Sequence, residues 1–292
     1  MQTSETQRII YYCANTVEYR SSSGNALDAT HDHVLFNVGT RQPDGSYTWG
    51  LTQTALRPRL QPGDPNYHPA TPNWAAYHIC DPDVVKGNFT YTTPQTGEKT
   101  YTWAMFFTGA DNDDHGADGR FNVVGVALAT SPLGPWTIVA SPARSFVTTA
   151  GLTPEPFLPD SGRFLHNASW AYDPSRQSFV ISRDTGPLDG NEIQTDVEVG
   201  RIAGSSIWTG GGAWSVVGRI TGAQTGYKWN HNSGLVRDPY GGLAFQGPLD
   251  YSGADVYFAT EPGSGNTAPP WDGYFKYRMQ HSTFPLSGLR GA

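Results

Sequence analysis

A nine-residue frame occurs twice in the chain and constrains its fold more than any other feature. HNASWAYDP begins at His166 and HNSGLVRDP begins at His231, and both open with His-Asn and close with Asp-Pro. The residues after each frame follow the same order, a turn and then short runs rich in β-branched and aromatic residues without a helical period. The frame therefore indicates the first strand of a repeated structural unit.

Each unit is predicted to contain four antiparallel strands joined by turns. The strands that accompany the frames are expected at 178–184, 195–203 and 213–220, then at 243–247, 254–262 and 271–279. An earlier segment has the same layout at 78–87, 100–109, 121–131 and 135–142, and residues 8–77 supply one more unit. Repeats of roughly 55–75 residues with four strands are typical of β-propeller blades.

The fold class predicted from these repeats is all-β, a single β-propeller domain over residues 1–292, with a β-sandwich as the alternative. Five blades are favoured over four, because the C-terminal HSTFPLSG could join the N-terminal strands and close the ring. The composition agrees, since 34 glycines, 22 prolines and 13% aromatic residues supply many turns and strand formers.

The charge pattern argues against two classes of partner. A net charge of −7 without any basic run disfavours nucleic acid and an anionic membrane surface.

No apolar stretch approaches the length of a membrane-spanning helix. The opening MQTSETQ lacks the basic and apolar regions of a signal peptide. The chain is thus either cytoplasmic or the mature form of an exported protein, and a secreted or periplasmic location is the expectation.

The two ends of the frame predict different roles. Asp173 and Asp238 precede prolines and are expected to hold turns. The histidines at the other end, together with His78 in the earlier unit, are expected to face the propeller axis. His78, His166 and His231 could then ligate a transition metal there, contact the substrate directly, or simply form hydrogen bonds to neighbouring blades.

Two further features of the sequence could provide a metal-binding site. The acidic loop 109–120 has the oxygen-rich composition of a calcium site but not the order of an EF-hand. Calcium could therefore bind in this loop, and a metal at the propeller axis could be calcium or a transition metal. The cysteines at 13 and 80 could pair, stay free or bind metal.

One segment resembles a known enzyme family. CDPDVV (80–85), TYTWAMFFTGAD (100–111) and VGVALATSPLGPWT (124–137) resemble the first blade of the family 43 glycoside hydrolases, which are five-bladed propellers. The resemblance implies an inverting site of three carboxylates, in which Asp81 matches the general base that activates water. It also implies a polysaccharide or oligosaccharide substrate of the arabinose or xylose type.

The later units depart from the family pattern. Where the family has a second Asp and an acidic Glu, this chain has amides and hydroxyls, at Asn167, Ser169, Asn232 and Ser233. Glycosidic cleavage needs a proton donor for the leaving oxygen. A donor is therefore expected from the mouth loops 109–120, 183–196 and 247–255 or from the segment before the third unit. The candidates are Asp184, Glu192 and Glu155.

Aromatic and amide side chains near the predicted mouth complete the candidate site. Trp170, Trp229 and Tyr227 could stack on sugar rings, and Asn167 and Asn232 could bond to sugar hydroxyls. Two other functions remain open: a metal-dependent lyase or oxygenase built on the axial histidines, and a sugar-binding propeller without catalysis.

Overall fold

A computed structural model describes most of the chain, and it divides into two compact units. Unit 1 comprises residues 1–116 and 121–144, and unit 2 comprises residues 117–120 and 145–292. The described residues are 1–17, 30–59, 68–72, 75, 78–93, 97–110, 123–139, 168–188, 194–204, 215–244, 253–261 and 278–285. Each unit contains two antiparallel sheets. The assembly of both units into one domain stays a prediction.

Blade 1 opens unit 1. Its strands are β1 (Gln7–Val17), β2 (Thr30–Arg41), β3 (Tyr47–Trp49) and β4 (Gln53–Leu56). The long strand β2 pairs with all three others. The turn into β3 contains Gly45 at a φ of 85°, a backbone conformation that glycine adopts without steric cost.

Blade 2 completes unit 1. Its strands follow one another in sequence order: β5 (His78–Thr93), β6 (Gly97–Ala110), β7 (Val123–Ala129) and β8 (Thr137–Ile138). Five consecutive residues of β6, from Trp103 to Phe107, are buried, so both faces of this sheet are covered. A run that is apolar throughout, in place of strict alternation, is what a strand covered on both faces requires.

Unit 2 contains blades 3 and 4. Blade 3 is formed by β9 (Ser169–Asp173), β10 (Ser178–Leu188), β11 (Gln194–Ala203) and β12 (Ser215–Ile220). A four-residue helix, α1 (Gly222–Thr225), leads to blade 4, whose described strands are β13 (Trp229–Leu235), β14 (Gly253–Glu261) and β15 (Arg278–Pro285). The two blades share an apolar core that includes Val180, Val199, Val256 and Phe258.

The fold class expected from the repeats is confirmed: the protein is an all-β β-propeller of antiparallel blades. Four blades are present among the described residues, where the sequence favoured five. The C-terminal strand expected to help close a fifth blade is β15, which pairs with β14 inside blade 4. Residues 254–261 are a strand as predicted, but they pair directly with β13.

The strand predicted at 243–247 is wrong for the residues that the structure describes there. Leu243 makes one isolated bridge to Arg237 and no ladder, because the β13–β14 pairing already occupies that place in the sheet.

The two frame aspartates do hold turns, as expected. Asp173 accepts hydrogen bonds from the backbone N–H groups of Ser175 and Arg176, and Asp238 accepts them from Tyr240 and Gly242.

Candidate functional site

The first strands of blades 2 and 4 carry the same irregularity at the same place. In β5 the ladder to β6 slips between Cys80 and Asp83, and in β13 the ladder to β14 slips between His231 and Gly234. In both cases three steps on the first strand oppose two on its partner. Each first strand therefore contains a β-bulge of one extra residue, a feature that re-aims side chains and is common beside active sites.

The residue that opens each bulge has an unusual backbone. Asp81 and Asn232 both have a φ of 50°, and both are exposed. Asp and Asn reach this left-handed region more readily than other residues with a side chain. The two bulges thus present a carboxylate and an amide in the same way at equivalent points of two blades.

This equivalence corrects the alignment drawn from the sequence. Aligning the repeats on their histidines makes Asp81 equivalent to Gly234. The bulges instead make Asp81 equivalent to Asn232 and Cys80 equivalent to His231. The difference is a shift of two residues along the strand. His78 and His231 are therefore not equivalent residues, and the residue equivalent to His231 is Cys80.

In unit 2 the β13 bulge lies against a buried carboxylate. Asp184 of β10 is 4% exposed, and its Oδ2 accepts a hydrogen bond of 3.2 Å from the backbone N–H of Asn232. A second contact fixes the same strand, since the side-chain amide of Asn230 donates to the carbonyl oxygen of Thr195 at 3.0 Å. Asp184 is therefore positioned by the strand that carries Asn232, although in sequence the two residues are far apart.

The polar groups around Asp184 are buried. His231 is 6% exposed, and burial lowers its pKa despite a smaller opposing contribution from the Asn232 side chain. Its imidazole is thus favoured in the neutral form. Ser182 shares a face of β10 with Asp184. Its Oγ and that of Ser233 are buried and have no hydrogen-bond partner among the described residues. Such hydroxyls suit a bound water or a ligand.

The opposite face of blade 3 contains a charged group that the sequence did not single out. Glu198 is fully buried between Arg183 and Arg219. Asp196, two residues earlier, lies on the same face of β11, and burial raises its pKa against weaker lowering by Thr195 and Arg219. A carboxyl group with a raised pKa is a candidate proton donor. The available signal was the D-x-E pattern of β11, which places both carboxyl groups on one face.

In unit 1, Asp81 is followed along β5 by buried Asp83 and preceded by Cys80 and His78. Nδ1 of His78 lies 2.6 Å from Oδ2 of Asp32 on β2. Cys80 forms a disulfide with Cys13 of β1, which decides among the three alternatives left open for the cysteines. Asp81 belongs to unit 1 and Asp184 to unit 2, so the separation of their carboxylates stays a prediction.

The two tryptophans expected to stack on sugars have different surroundings from those predicted. Trp170 is 2% exposed and makes an edge contact with Phe179. Trp229 is also buried, and the Nζ of Lys228 lies 4.8 Å from its ring centroid. A residue's position near the end of a strand does not reveal which face it occupies, and these two rings serve the core. Tyr227 is half-buried and keeps its predicted role as a candidate.

Several predicted residues lie outside the described part of the chain, namely Glu155, His166, Asn167, Glu192 and most of the acidic loop 109–120. The histidine cluster and the calcium loop therefore stay predictions. Among the described residues, one group of three potential ligands has its donor atoms within 4.8 Å of one another: Cys13, Asp32 and Cys80. No described helix is long or apolar enough to cross a bilayer.

Comparison with known proteins gives a structural similarity without a sequence match. No family model matches the chain, and no curated protein matches it. Among solved structures, it is similar to a glycoside hydrolase family 43 arabinoxylan arabinofuranohydrolase from Bacillus subtilis, solved with cellotetraose. The TM-score is 0.47 at 16% identity, covering 97% of this chain and 48% of the other. The chain spans about half the length of that structure.

Proposed function

We propose that this protein is a carbohydrate-active enzyme that hydrolyses glycosidic bonds in a polysaccharide or oligosaccharide of the arabinose or xylose type. Asp81 acts as the general base that activates water, and a second carboxyl group protonates the leaving oxygen. The proposal rests on the family-like motifs of residues 80–137 and on the geometry around Asp81. The disulfide supports the expected secreted or periplasmic location, because such bonds persist in oxidising compartments.

The observation that carries the proposal is the bulge at Asp81. An exposed carboxylate at a φ of 50° is held in a sparsely populated backbone conformation, and such positions concentrate at functional sites. The conformation directs the carboxylate out of the ladder, where a water molecule can reach it. A structural aspartate would instead be expected to accept hydrogen bonds from a turn, as Asp173 does.

The proton donor is chosen among four carboxyl groups. Asp184 accepts the N–H of Asn232 at 3.2 Å and so holds the strand that carries Asn232. Burial raises the pKa of Asp196, against weaker lowering by Thr195 and Arg219. Asp196 is therefore favoured as the donor over Asp184, which suits a role in orienting the strand that carries Asn232. Glu155 and Glu192 keep their candidacy from the sequence.

Substitution of Asp81 tests the proposal. Asp81→Asn removes the base while keeping the size of the side chain, and the backbone conformation suits Asn as well, since Asn232 adopts it. Loss of a general base typically lowers the rate by about 10²–10⁴-fold. The measurement is release of reducing sugar from arabinoxylan and xylan fragments, with Asp44→Asn in the exposed β2–β3 turn as control. Full activity of a folded Asp81→Asn protein would make Asp81 structural.

A sugar-binding protein without catalysis is the second candidate. It is favoured by the amide of Asn232 at the point equivalent to Asp81, because an amide binds hydroxyl groups but does not transfer protons at neutral pH. Calorimetric binding of xylo-oligosaccharides with no turnover by the unsubstituted protein would support this candidate over the enzyme.

A further inference from the structure

The start of blade 2 lies against blade 1 at a cluster of four potential metal ligands. The β1–β2 register pairs Cys13 with Val34, so Asp32, two residues before Val34, shares a face of that sheet with Cys13. His78 and Cys80 are also two residues apart on β5 and share a face. The β1–β2 pair and strand β5 thus contribute one cysteine each, with Asp32 beside Cys13 and His78 beside Cys80.

The distances between these groups are those of a compact site. Donor atoms of Cys13, Asp32 and Cys80 all lie within 4.8 Å of one another. The Cα atoms of the two cysteines are 4.9 Å apart. His78 contacts Asp32 at 2.6 Å, and their side chains are 15% and 23% exposed. The cluster is therefore partly shielded from solvent yet open enough to admit an ion.

We propose that, when the disulfide is reduced, Cys13, Cys80 and Asp32 bind a thiophilic divalent cation such as Zn²⁺. Two thiolates and one carboxylate give three ligands of the types that zinc prefers, and a water molecule fills the fourth tetrahedral position. Two sulfurs on one tetrahedral zinc are about 3.8 Å apart, which thiolates on strands this close can reach by rotating their side chains.

His78 acts on this site through Asp32. Its imidazole holds the carboxylate by the 2.6 Å contact, and such an outer partner fixes the orientation of a ligand and raises its affinity for metal. The ligand set would carry three negative charges, which a divalent cation would largely neutralise. His78 thereby supports the bound metal without contacting it.

The metal and the disulfide exclude each other, since the same two sulfur atoms form both. Reduction by a phosphine adds two electrons and two protons to the disulfide, while the phosphine takes an oxygen atom from water. The resulting thiols lose their protons when the cation binds. The cluster therefore binds metal in a reducing environment and forms a covalent link in an oxidising one.

Cobalt titration of the reduced full-length chain tests the proposal. The protein is reduced with the phosphine TCEP, freed of reductant without air, and titrated with Co²⁺. We expect one Co²⁺ per chain, with thiolate-to-cobalt charge-transfer absorption and tetrahedral visible bands, followed by displacement with Zn²⁺. The oxidised protein should show neither. Absence of the charge-transfer band in the reduced protein would overturn the proposal.

Substitutions test Asp32 as a ligand and His78 as the residue that positions it. Asp32→Asn should weaken Zn²⁺ binding by at least about 10-fold, and His78→Ala by about 10–100-fold. Asp44→Asn is the matched control, because Asp44 lies in the exposed turn after the same strand β2. Circular dichroism confirms that each variant is folded. Equal zinc affinity in Asp32→Asn and Asp44→Asn would overturn the assignment of Asp32.

Discussion

Replacing Glu198 should cost blade 3 several kcal/mol of stability although the shape of the side chain hardly changes. Its Oε1 accepts hydrogen bonds from Arg183 at 3.1 and 2.6 Å, and its Oε2 lies 2.8 and 2.7 Å from two nitrogens of Arg219. Glu198 is fully buried and Arg183 is 2% exposed, while Arg219 is half exposed. Burial alone would raise the pKa of Glu198, but the two guanidinium groups outweigh it and lower that pKa.

The change Glu198→Gln keeps the shape but removes the charge that neutralises Arg183. Removing one partner of a buried ion pair costs about 3–5 kcal/mol. Replacing the half-exposed Arg219 by Ala should cost about 0.2–1 kcal/mol, as for a surface pair. With a urea slope of about 2–3 kcal/mol/M, the midpoint of Glu198→Gln should fall by about 1–2.5 M. Tryptophan fluorescence during urea unfolding measures both.

Two further measurements sharpen this prediction. A lowered carboxyl pKa stabilises the fold above the ordinary pKa of 4.5 and loses that effect as pH falls through the folded value. The gap between the unsubstituted protein and Glu198→Gln should therefore narrow in acid. The double change Arg183→Met with Glu198→Leu should recover part of the loss, because it removes both buried charges. Equal costs for Glu198→Gln and Arg219→Ala would refute the reasoning.

Three other predictions concern unit 2. Gly218→Ala would place a Cβ 2.4 Å from the ring of Phe284, so it should cost about 1–3 kcal/mol by overpacking. Thermal unfolding measures this loss. Gly50→Ala is the control and should show no such loss, because its Cβ would meet only ordinary contacts. Asn232→Ala should lose about 1 kcal/mol of stability by backbone strain, while Asn232→Gly should keep its stability. If calorimetry shows the same loss of substrate affinity in both variants, the side-chain amide is the group that binds. If Asp196 is the donor, the rate should fall as pH rises through its raised pKa, and an Asp196→Asn protein that keeps this alkaline limb in its pH profile would exclude the role.

The sequence predicted the strands of blade 3 well because their signals are local. Each strand from β10 to β12 begins or ends within a few residues of its expected bounds, since alternation and turn residues act over short distances. The strand predicted after Asp238 was wrong because it too was predicted from a local signal. A short apolar run at 243 satisfies the strand pattern, but tertiary pairing of β13 with β14 decides which segment joins the sheet.

The candidate site depended more on contacts between strands, which the sequence does not record. The histidine alignment was two residues out of register because His78 and His231 lie at different distances from the shared bulge. The contact between Asp184 and Asn232 joins residues 48 positions apart. The burial of Trp170 depends on which side of its strand faces a neighbouring blade. Asp81, in contrast, was found through a local motif that coincides with an unusual backbone conformation.

The Cys13–Cys80 bond has a topological consequence. It closes a ring across 67 positions of sequence, and that ring contains β2, β3 and β4. By the chain-entropy relation, a loop of this length restricts the unfolded chain by about 4 kcal/mol. Any protease cut between the two cysteines leaves a single molecule whose mass increases by one water. On a denaturing gel the cut protein should separate into two pieces only after a thiol is added, so the cleaved first blade stays tethered to the rest of the chain.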